Sequence, residues 1–359
     1  FHKLPSTYSL QQSLTYATKH IVDAEWIWLL HDDSAPEPDA LKNLLHAVEL
    51  SPSVAIAGPK LVDWQDSRVV NQLGLTLTPL GDLFSIVSGE LDQSQHDDAD
   101  DVMAVGTAAA LIKFDVLKQL GGFDTAAPEL AADFDFSIRA RMAGHRVVVV
   151  PQARVAHAAL SMSGKRPRAW LGTNPKTALR RSAIHLRLAF APLAVALLFW
   201  FFLPAIGVFR AIGRVAAKRP DRIWSELAAA FWGYFTVGAR LSSRTQIAKT
   251  SVVKFAKLRG LRASWQQVRN SNRAALEREQ SEATLAAFER GGDRRGTGER
   301  EDAPRRYRSR QPHRGRRQRH HRHHGGGAGA GRRPHPALHH QRHRGAEPAS
   351  VQQAALRPV

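Results

Sequence analysis

Cysteine is absent from the 359 residues of this chain. That absence excludes disulfides and thiolate metal sites, and it leaves the redox compartment open. No charged-then-apolar leader precedes the first strand pattern, and the first residue is Phe rather than Met. No signal peptide is therefore visible, and the natural N-terminus is expected to lie upstream. Lysine is absent after Lys257, so the C-terminal charge comes from arginine alone. The formal charge is 51 − 32 = +19. Such an excess favours anionic partners: a membrane surface, nucleic acid or phosphorylated substrates. The charge is unevenly spread, with Asp concentrated in 21–136 and base after Arg180. No basic stripe with interleaved aromatics runs through the folded part, which argues against a nucleic-acid partner.

At 43% hydrophobic the chain can build a core, and its length suits one or two domains plus tails. Residues 9–20 fit a helix with Leu10, Leu14 and Ala17 on one side. "WIWLL" (26–30) reads as a strand covered on both faces. Pro38 opens a helix whose apolar stripe is Leu41, Leu44, Leu45 and Val48. "SVAIAGP" (53–59) is a buried strand expected to stop at Gly58-Pro59. Short Gly-punctuated strands fill 61–90, and 93–101 is a polar loop. Residues 105–124 read as a small-residue strand opened by Gly106, then a short helix ending at Gly121-Gly122. A helix over 131–144 turns Phe134, Ile138 and Met142 inward. "HRVVVVP" (145–151) is the next buried strand. Buried strands alternating with helices imply an α/β sheet domain to about residue 160.

Long apolar runs are otherwise scarce. Residues 188–209, "LAFAPLAVALLFWFFLPAIGVF", contain no charge and are bracketed by Arg187 and Arg210. About 20 apolar residues cross a bilayer, so this segment is expected to be a transmembrane helix, kinked at Pro192 and Pro204. Basic flanks on both sides leave its orientation unset. "LAAAFWGYFTVGA" (227–239) is too short to span and reads as an interfacial or re-entrant helix. The basic stretch 240–274 could lie against anionic headgroups. From about residue 291 the text is Arg, His, Gly and Pro without hydrophobic period. It is either a disordered tail or the product of a reading-frame shift in a GC-rich gene.

Four features recur in order within the α/β part. A strand ends in His31-Asp32-Asp33; Gly106 follows; Asp133 and Asp135 open a helix; His157 comes after the last strand. Strand ends of open α/β sheets are where ligands bind. A diphosphate needs a hard cation held by oxygen ligands. A carboxylate one turn into a helix, facing a cleft, is placed to act as a general base. A late His can complete a cation's ligand set. Taken singly each is weak: adjacent Asp residues after a strand are usually a solvated turn, and an Asp early in a helix usually serves the dipole.

Together, "WIWLLHDDSAPEPDAL", "GTAAALIKFDVLKQLGGFD" and "AADFDFSIRARMAGHRVVVVPQARVAHA" resemble the family 2 glycosyltransferases, most closely large membrane-associated members of actinobacteria. The resemblance covers roughly residues 9–160. It implies a GT-A fold, a Rossmann-like, mostly parallel sheet that binds a nucleotide-sugar with Mn²⁺ or Mg²⁺. The family's Asp-x-Asp metal motif falls on His31-Asp32-Asp33, so Asp33 is the expected ligand and His31 replaces the first carboxylate. Asp32, the variable middle position, lies near the sugar or ribose. The catalytic base falls on Asp133, with Asp135 supporting the substrate site through hydrogen bonds. Gly106 lies where the acceptor approaches the backbone, and His157 matches the late metal ligand. The implied chemistry is inverting transfer to a hydroxyl of a glycan or lipid-linked acceptor in cell-envelope synthesis, at the cell membrane with the catalytic domain cytoplasmic.

The resemblance further implies that the GT-A domain is incomplete at its N-terminus, since the family's first strand, nucleotide loop and next strand and helix are not seen. The expected organisation is a partial GT-A domain (1–160), a basic connector (161–187), a transmembrane helix (188–209), a basic amphipathic helical region (210–290) and the Arg/His-rich tail (291–359). The competing reading is a catalytically inactive membrane-bound remnant or scaffold of the same fold.

Overall fold

The computed structural model describes residues 4–5, 8, 10–163, 165, 173–296 and 352–354. Two compact units divide the chain: residues 1–271 with 349–359, and residues 272–348. The first unit holds the sheet and its helices. The second contributes, among its described residues, the C-terminal part of one long helix.

The elements in chain order are α1 (Leu10–Thr18), β1 (Trp26–Leu29), β2 (Ser34–Pro36), α2 (Ala40–Glu49), β3 (Val54–Asp63), β4 (Val69–Leu77), β5 (Leu83–Val87), β6 (Glu90–Leu91), β7 (Leu111–Lys113), α3 (Phe114–Gln119), α4 (Ala132–Met142) and β8 (Arg146–His157). The helices α5 (Pro175–Phe190), α6 (Leu193–Ala216), α7 (Ile223–Phe235), α8 (Val237–Thr250) and α9 (Trp265–Gly296) follow, and β9 (Gln352–Ala354) comes last. Most of the expected tail lies outside the described residues; 291–296 are helical and 352–354 form β9.

The sheet runs β2-β8-β3-β7-β1-β9, with β4 joined to β3 and carrying β5 and β6. It is mixed rather than mostly parallel. The β3–β8 and β1–β9 pairs are parallel, and the rest are antiparallel. Every residue of β1 is buried, because the sheet is covered on both faces. Trp26 and Trp28 pack with Ala40, Leu44 and Val48 of α2. Ile27 and Leu29 face the other way, onto Leu14 of α1 and Phe136 of α4. The period-2 alternation of a strand thus feeds two cores.

Both proline stops expected from sequence turn out to be bulges. Strand β3 runs on through Gly58-Pro59 to Asp63, and β8 runs through Pro151 to His157. Their ladder shifts register between Pro59 and Lys60, where Lys60 faces Arg154. A proline has no N–H to give the ladder, and a bulge absorbs the loss. Gly58 is needed here, because a Cβ would stand 2.5 Å from Val105 Cβ. The small-residue strand expected from 105 is shorter too. It begins at Leu111, and 106–110 form a loop in which buried Ala109 takes φ +63°.

The apolar run 188–209 is also split. Ala191-Pro192 separates α5 from α6; Pro192 caps α6, and only Pro204 lies inside it. Helix α5 begins with Asn174 accepting a hydrogen bond from Thr177 N (2.9 Å) and Pro175 in its first turn. Its Leu186, Ala189 and Phe190 pack against Leu75 and Leu77 of β4 and Phe134 of α4.

Helix α4 is buried almost all round, so its rotation matters. Arg139 Nε donates to Asp135 Oδ2 at 2.7 Å, with both side chains 1% exposed. Arg139 also donates to the carbonyls of Leu120 and Gly122, at 2.9 Å each. Removing one member of a buried pair strands the other charge and costs about 3–5 kcal/mol. Arg139→Leu is therefore expected to lower the unfolding free energy by about that amount in urea denaturation; a loss below about 1 kcal/mol would show that the pair does not hold α4.

Candidate functional site

Strand β1 ends at Leu29, and the chain turns through His31-Asp32-Asp33 into β2. Ser34 caps that turn, its Oγ donating to His31 O at 2.7 Å. Strand β2 then pairs antiparallel with the end of β8, Ser34 opposite His157. That register brings His157 to Asp33. Asp33 Oδ1 lies 3.5 Å from His157 Nε2 and 4.0 Å from His31 Nδ1. Its Oδ2 accepts a hydrogen bond from Leu160 N at 2.9 Å, which fixes the carboxylate plane. Asn71 Nδ2 donates to His157 O at 3.0 Å and anchors the strand end.

His31, Asp33 and His157 each offer a ligand atom, all within 4.8 Å of one another. Asp33 is buried and the two imidazoles are partly open to the cavity. One carboxylate and two imidazoles suit Mn²⁺ better than Mg²⁺, which prefers oxygen. The residues present therefore fit a divalent cation.

Asp133 faces the same cavity from α4 and is joined to His31 through Thr107. The Thr107 hydroxyl donates to Asp133 Oδ1 at 2.7 Å, and His31 Nε2 lies 3.0 Å from Thr107 Oγ1. A hydroxyl has one proton. With that proton on the Asp133 bond, Thr107 must accept from His31 Nε2–H. That leaves Nδ1 as the ring nitrogen facing Asp33, 4.0 Å from its Oδ1.

Burial pushes the Asp133 carboxyl up to about 6, against the hydrogen bonds from the Thr107 side chain and backbone and the nearby His157, which pull it down. Glu129, one turn earlier, is pushed up to about 7 by burial and by the charge of Asp133. Both line a cavity of about 510 Å³ together with His31, Asp32, Gly106 and His157. A Cβ on Gly106 would stand 2.4 Å from Gln72 Oε1 and 3.8 Å from Asp133 Oδ2. Glycine at 106 thus keeps the wall beside Asp133 thin.

The structure brings together His31, Asp32, Asp33, Gly106, Asp133 and His157. It does not bring Asp135 to them. Two residues further along α4, Asp135 points to the opposite face, 1% exposed against Arg139, and does not line the cavity. It therefore does not line the substrate site but supports it only from behind, through its bond to Arg139: a residue spaced by two turns about 200° around a helix. Asp135 Oδ1 instead lies 3.9 Å from His185 Nε2, which is also 3.9 Å from Asp124 Oδ2. Asp124, Asp135 and His185 form a second, wholly buried group with ligand-like spacing. The Arg139 guanidinium is bonded to Asp135, and Arg240 is drawn electrostatically to Asp124. Those arginines offset the two charges, while Asp124 Oδ2, Asp135 Oδ1 and both ring nitrogens of His185 are buried without a hydrogen-bond partner among the described residues.

Thr107, Gln72 and Glu129 are cavity residues that sequence reasoning passed over. Thr107 had a signal: it is the lone hydroxyl of the run Gly106-Thr107-Ala108-Ala109-Ala110. Gln72 and Glu129 had none, since only the sheet and the turn before α4 bring them in.

The shifted proton affinity has a consequence for stability. Folded, Asp133 holds its proton to about pH 6 instead of 3.8. The folded state then binds more protons than the unfolded one between those values, so stability is fully present below 3.8 and falls as pH rises through 6. Asp133→Asn is expected to raise the unfolding free energy by up to about 3 kcal/mol at pH 7.5 and to leave it unchanged near pH 3.5. Equal effects at both pH values in chemical denaturation would contradict a raised proton affinity.

Residues 1–174 match the family described as Glycosyltransferase like family 2. No curated protein matches the sequence significantly. Among solved structures, the chain is similar to GalNAc-T7, determined with UDP, GalNAc and Mn²⁺. The identity is 12%, the alignment covers 66% of this chain and 44% of that one, and the TM-score is 0.39. The chain thus spans less than half of that protein, and so distant a likeness carries no functional argument. The family match does, for the residues it covers: residues 1–174, just under half of the chain, match the family 2 glycosyltransferases, and the strands β1 to β8 within them form a mixed α/β sheet of GT-A-like fold.

Proposed function

We propose that the chain transfers a sugar, with inversion, from a nucleotide-sugar to a hydroxyl acceptor, and that Asp133 is the general base. The observation that carries this reading is the convergence, on one cavity, of a proton-accepting carboxylate with a separate cation-type donor set, the two joined through Thr107. Asp133 takes the acceptor's hydroxyl proton; the oxygen bonds to the anomeric carbon as that carbon's bond to the diphosphate breaks. The electron pair leaves with the nucleoside diphosphate. A proton affinity near neutrality suits a base at physiological pH. Thr107 holds the Asp133 carboxylate in place, and Gly106 lets the acceptor come close to it. His31, Asp33 and His157 would hold Mn²⁺ or Mg²⁺, which when bound supplies positive charge opposite the departing diphosphate. Asp32, exposed on the cavity rim, is assigned to the donor's sugar or ribose. The cell-envelope role, the cytoplasmic catalytic domain and the glycan or lipid-linked acceptor rest on the family resemblance alone, while the membrane part of the reading is supported by α6. That helix is long and apolar enough to cross a membrane.

The test is release of nucleoside diphosphate from a panel of UDP-, GDP- and dTDP-sugars by the full chain with Mn²⁺. Asp133→Asn is expected to cut the rate about 10²–10⁴-fold. Turnover unchanged in that variant would refute the assignment; a folded chain inert toward the whole panel would favour the inactive-scaffold reading.

The pH profile gives a second readout. Because Thr107 stabilises the charged form of Asp133, activity is expected to rise with pH through about 6, and Thr107→Val is expected to move that limb upward. A downward move would mean that another group controls it.

A further inference from the structure

Helix α6 has two unlike faces. Outward it exposes Leu198, Phe201, Phe209 and Ile212, and α7 adds Trp224 and Phe235; of these Phe209 is 77% and Trp224 77% exposed. Single exposed apolar residues are ordinary, but a continuous aromatic and aliphatic patch on two adjacent helices is not. Inward, Leu203 packs with Ile184 and Leu188 of α5 and with Ala229 and Ala230 of α7. The approach is close. A Cβ on Gly207 would stand 2.6 Å from Ala230 Cβ, and one on Gly233 2.6 Å from Ile184 Cγ2.

The inward packing runs the length of α6. Near its start, Trp200 stacks on Tyr234 (5.0 Å) and donates to Tyr234 O (2.9 Å). Beside it, the Arg187 guanidinium of α5 lies 4.9 Å over the Phe199 ring, and at the middle of α6 Leu203 makes the contacts with α5 and α7 given above. Toward its end, Arg210 and Arg214 bond Glu226 of α7 at 3.0 and 2.7 Å, and Arg180 of α5 joins them at 2.9 Å. Arg180 also bonds Asp82, in the turn between β4 and β5, at 3.0 Å.

This packing decides how α6 can meet a bilayer. A helix of this length, about 36 Å at 1.5 Å per residue, matches the hydrocarbon core, so length alone does not discriminate. If α6 crossed, its middle would sit at the bilayer midplane. Helix α5, which packs on Leu203 through Ile184 and Leu188, would sit there with it, and the group formed by Arg210, Arg214, Glu226, Arg180 and Asp82 would lie between the midplane and one surface, still within the hydrocarbon. Charges within the hydrocarbon are costly, and α5 would draw in with it the β4 residues Leu75 and Leu77 on which it packs. A helix lying in the interface meets neither problem. The connection after α6 adds exposed Lys218 and Arg222 beside Trp224, a combination that suits anionic headgroups.

We infer that α6 and α7 form an in-plane, monotopic docking face for an anionic lipid surface, and that α6 does not span the bilayer. This sharpens the membrane part of the proposed function and is independent of sugar transfer.

The absence of cysteine makes the test direct. Leu197→Cys, Phe201→Cys and Val215→Cys in the full chain each carry a single fluorophore. Depth in phosphatidylcholine–phosphatidylglycerol vesicles is read by quenching from lipids brominated at different positions. All three probes are expected at one shallow depth, about 5–10 Å below the headgroup boundary. Omitting phosphatidylglycerol, or introducing Phe201→Asp with Phe209→Asp, is expected to weaken binding at least about tenfold. A depth deepest at 201 with 197 and 215 graded toward opposite surfaces would overturn the inference. So would an absence of vesicle binding with concentration-dependent dimerisation, which would assign the patch to a second copy. Vesicle binding needs no turnover, so its failure is distinguishable from failure of the transferase reading.

Discussion

The buried ion pair between Asp135 and Arg139 is the interaction on which the site depends. It sets the rotation of α4, and that helix is packed on every side, so rotation is its main freedom. With Asp135 turned to Arg139 and the carbonyls of Leu120 and Gly122, Asp133 has to face the cavity. The same rotation sends Phe134 and Ile138 into one core and Phe136 and Ala140 into another. Two carboxylates of the same chemistry, two residues apart, thereby take opposite roles: one is ionised against an arginine, and the other, its proton affinity raised by burial, faces the cavity beside a hydroxyl.

A second constraint delivers the cation-type residues. The bulges at Pro59 and Pro151 keep β3 and β8 paired past residues that would otherwise have ended them. Strand β8 therefore reaches far enough for His157 to lie opposite Ser34 and beside Asp33. Without that extension the late histidine would leave the sheet some six residues early, and the ligand set would not close. The loop 106–110 completes the arrangement by placing one hydroxyl between His31 and Asp133.

Much of this was legible in the sequence, for physical reasons. "WIWLL" running into His31-Asp32-Asp33 marked a strand buried on both faces that ends at a ligand edge. Asp33, Asp133 and His157 were legible because chemistry-bearing residues at strand and helix ends are few. The supporting hydrogen bonds of Asp135 were legible only in kind, because spacing along a helix gives a face only when the partner is known, and that partner is Arg139 four residues on. The proline stops failed because a lost N–H costs a ladder bond but not a strand when a bulge can absorb it. Thr107 was passed over since a loop of small residues reads as a strand until its backbone is seen. The apolar run 188–209 hid a helix break at Ala191-Pro192, and composition alone does not tell a helix that spans a bilayer from one that packs along α5 and α7.

The central claim is that one cavity separates a cation site from a base. Titration of Mn²⁺ into the full chain, followed by the loss of the free-ion electron paramagnetic resonance signal, tests it most directly. The account predicts saturable binding that Asp33→Asn abolishes and Asp133→Asn leaves intact. Binding indifferent to Asp33→Asn, or lost with Asp133→Asn, would contradict it.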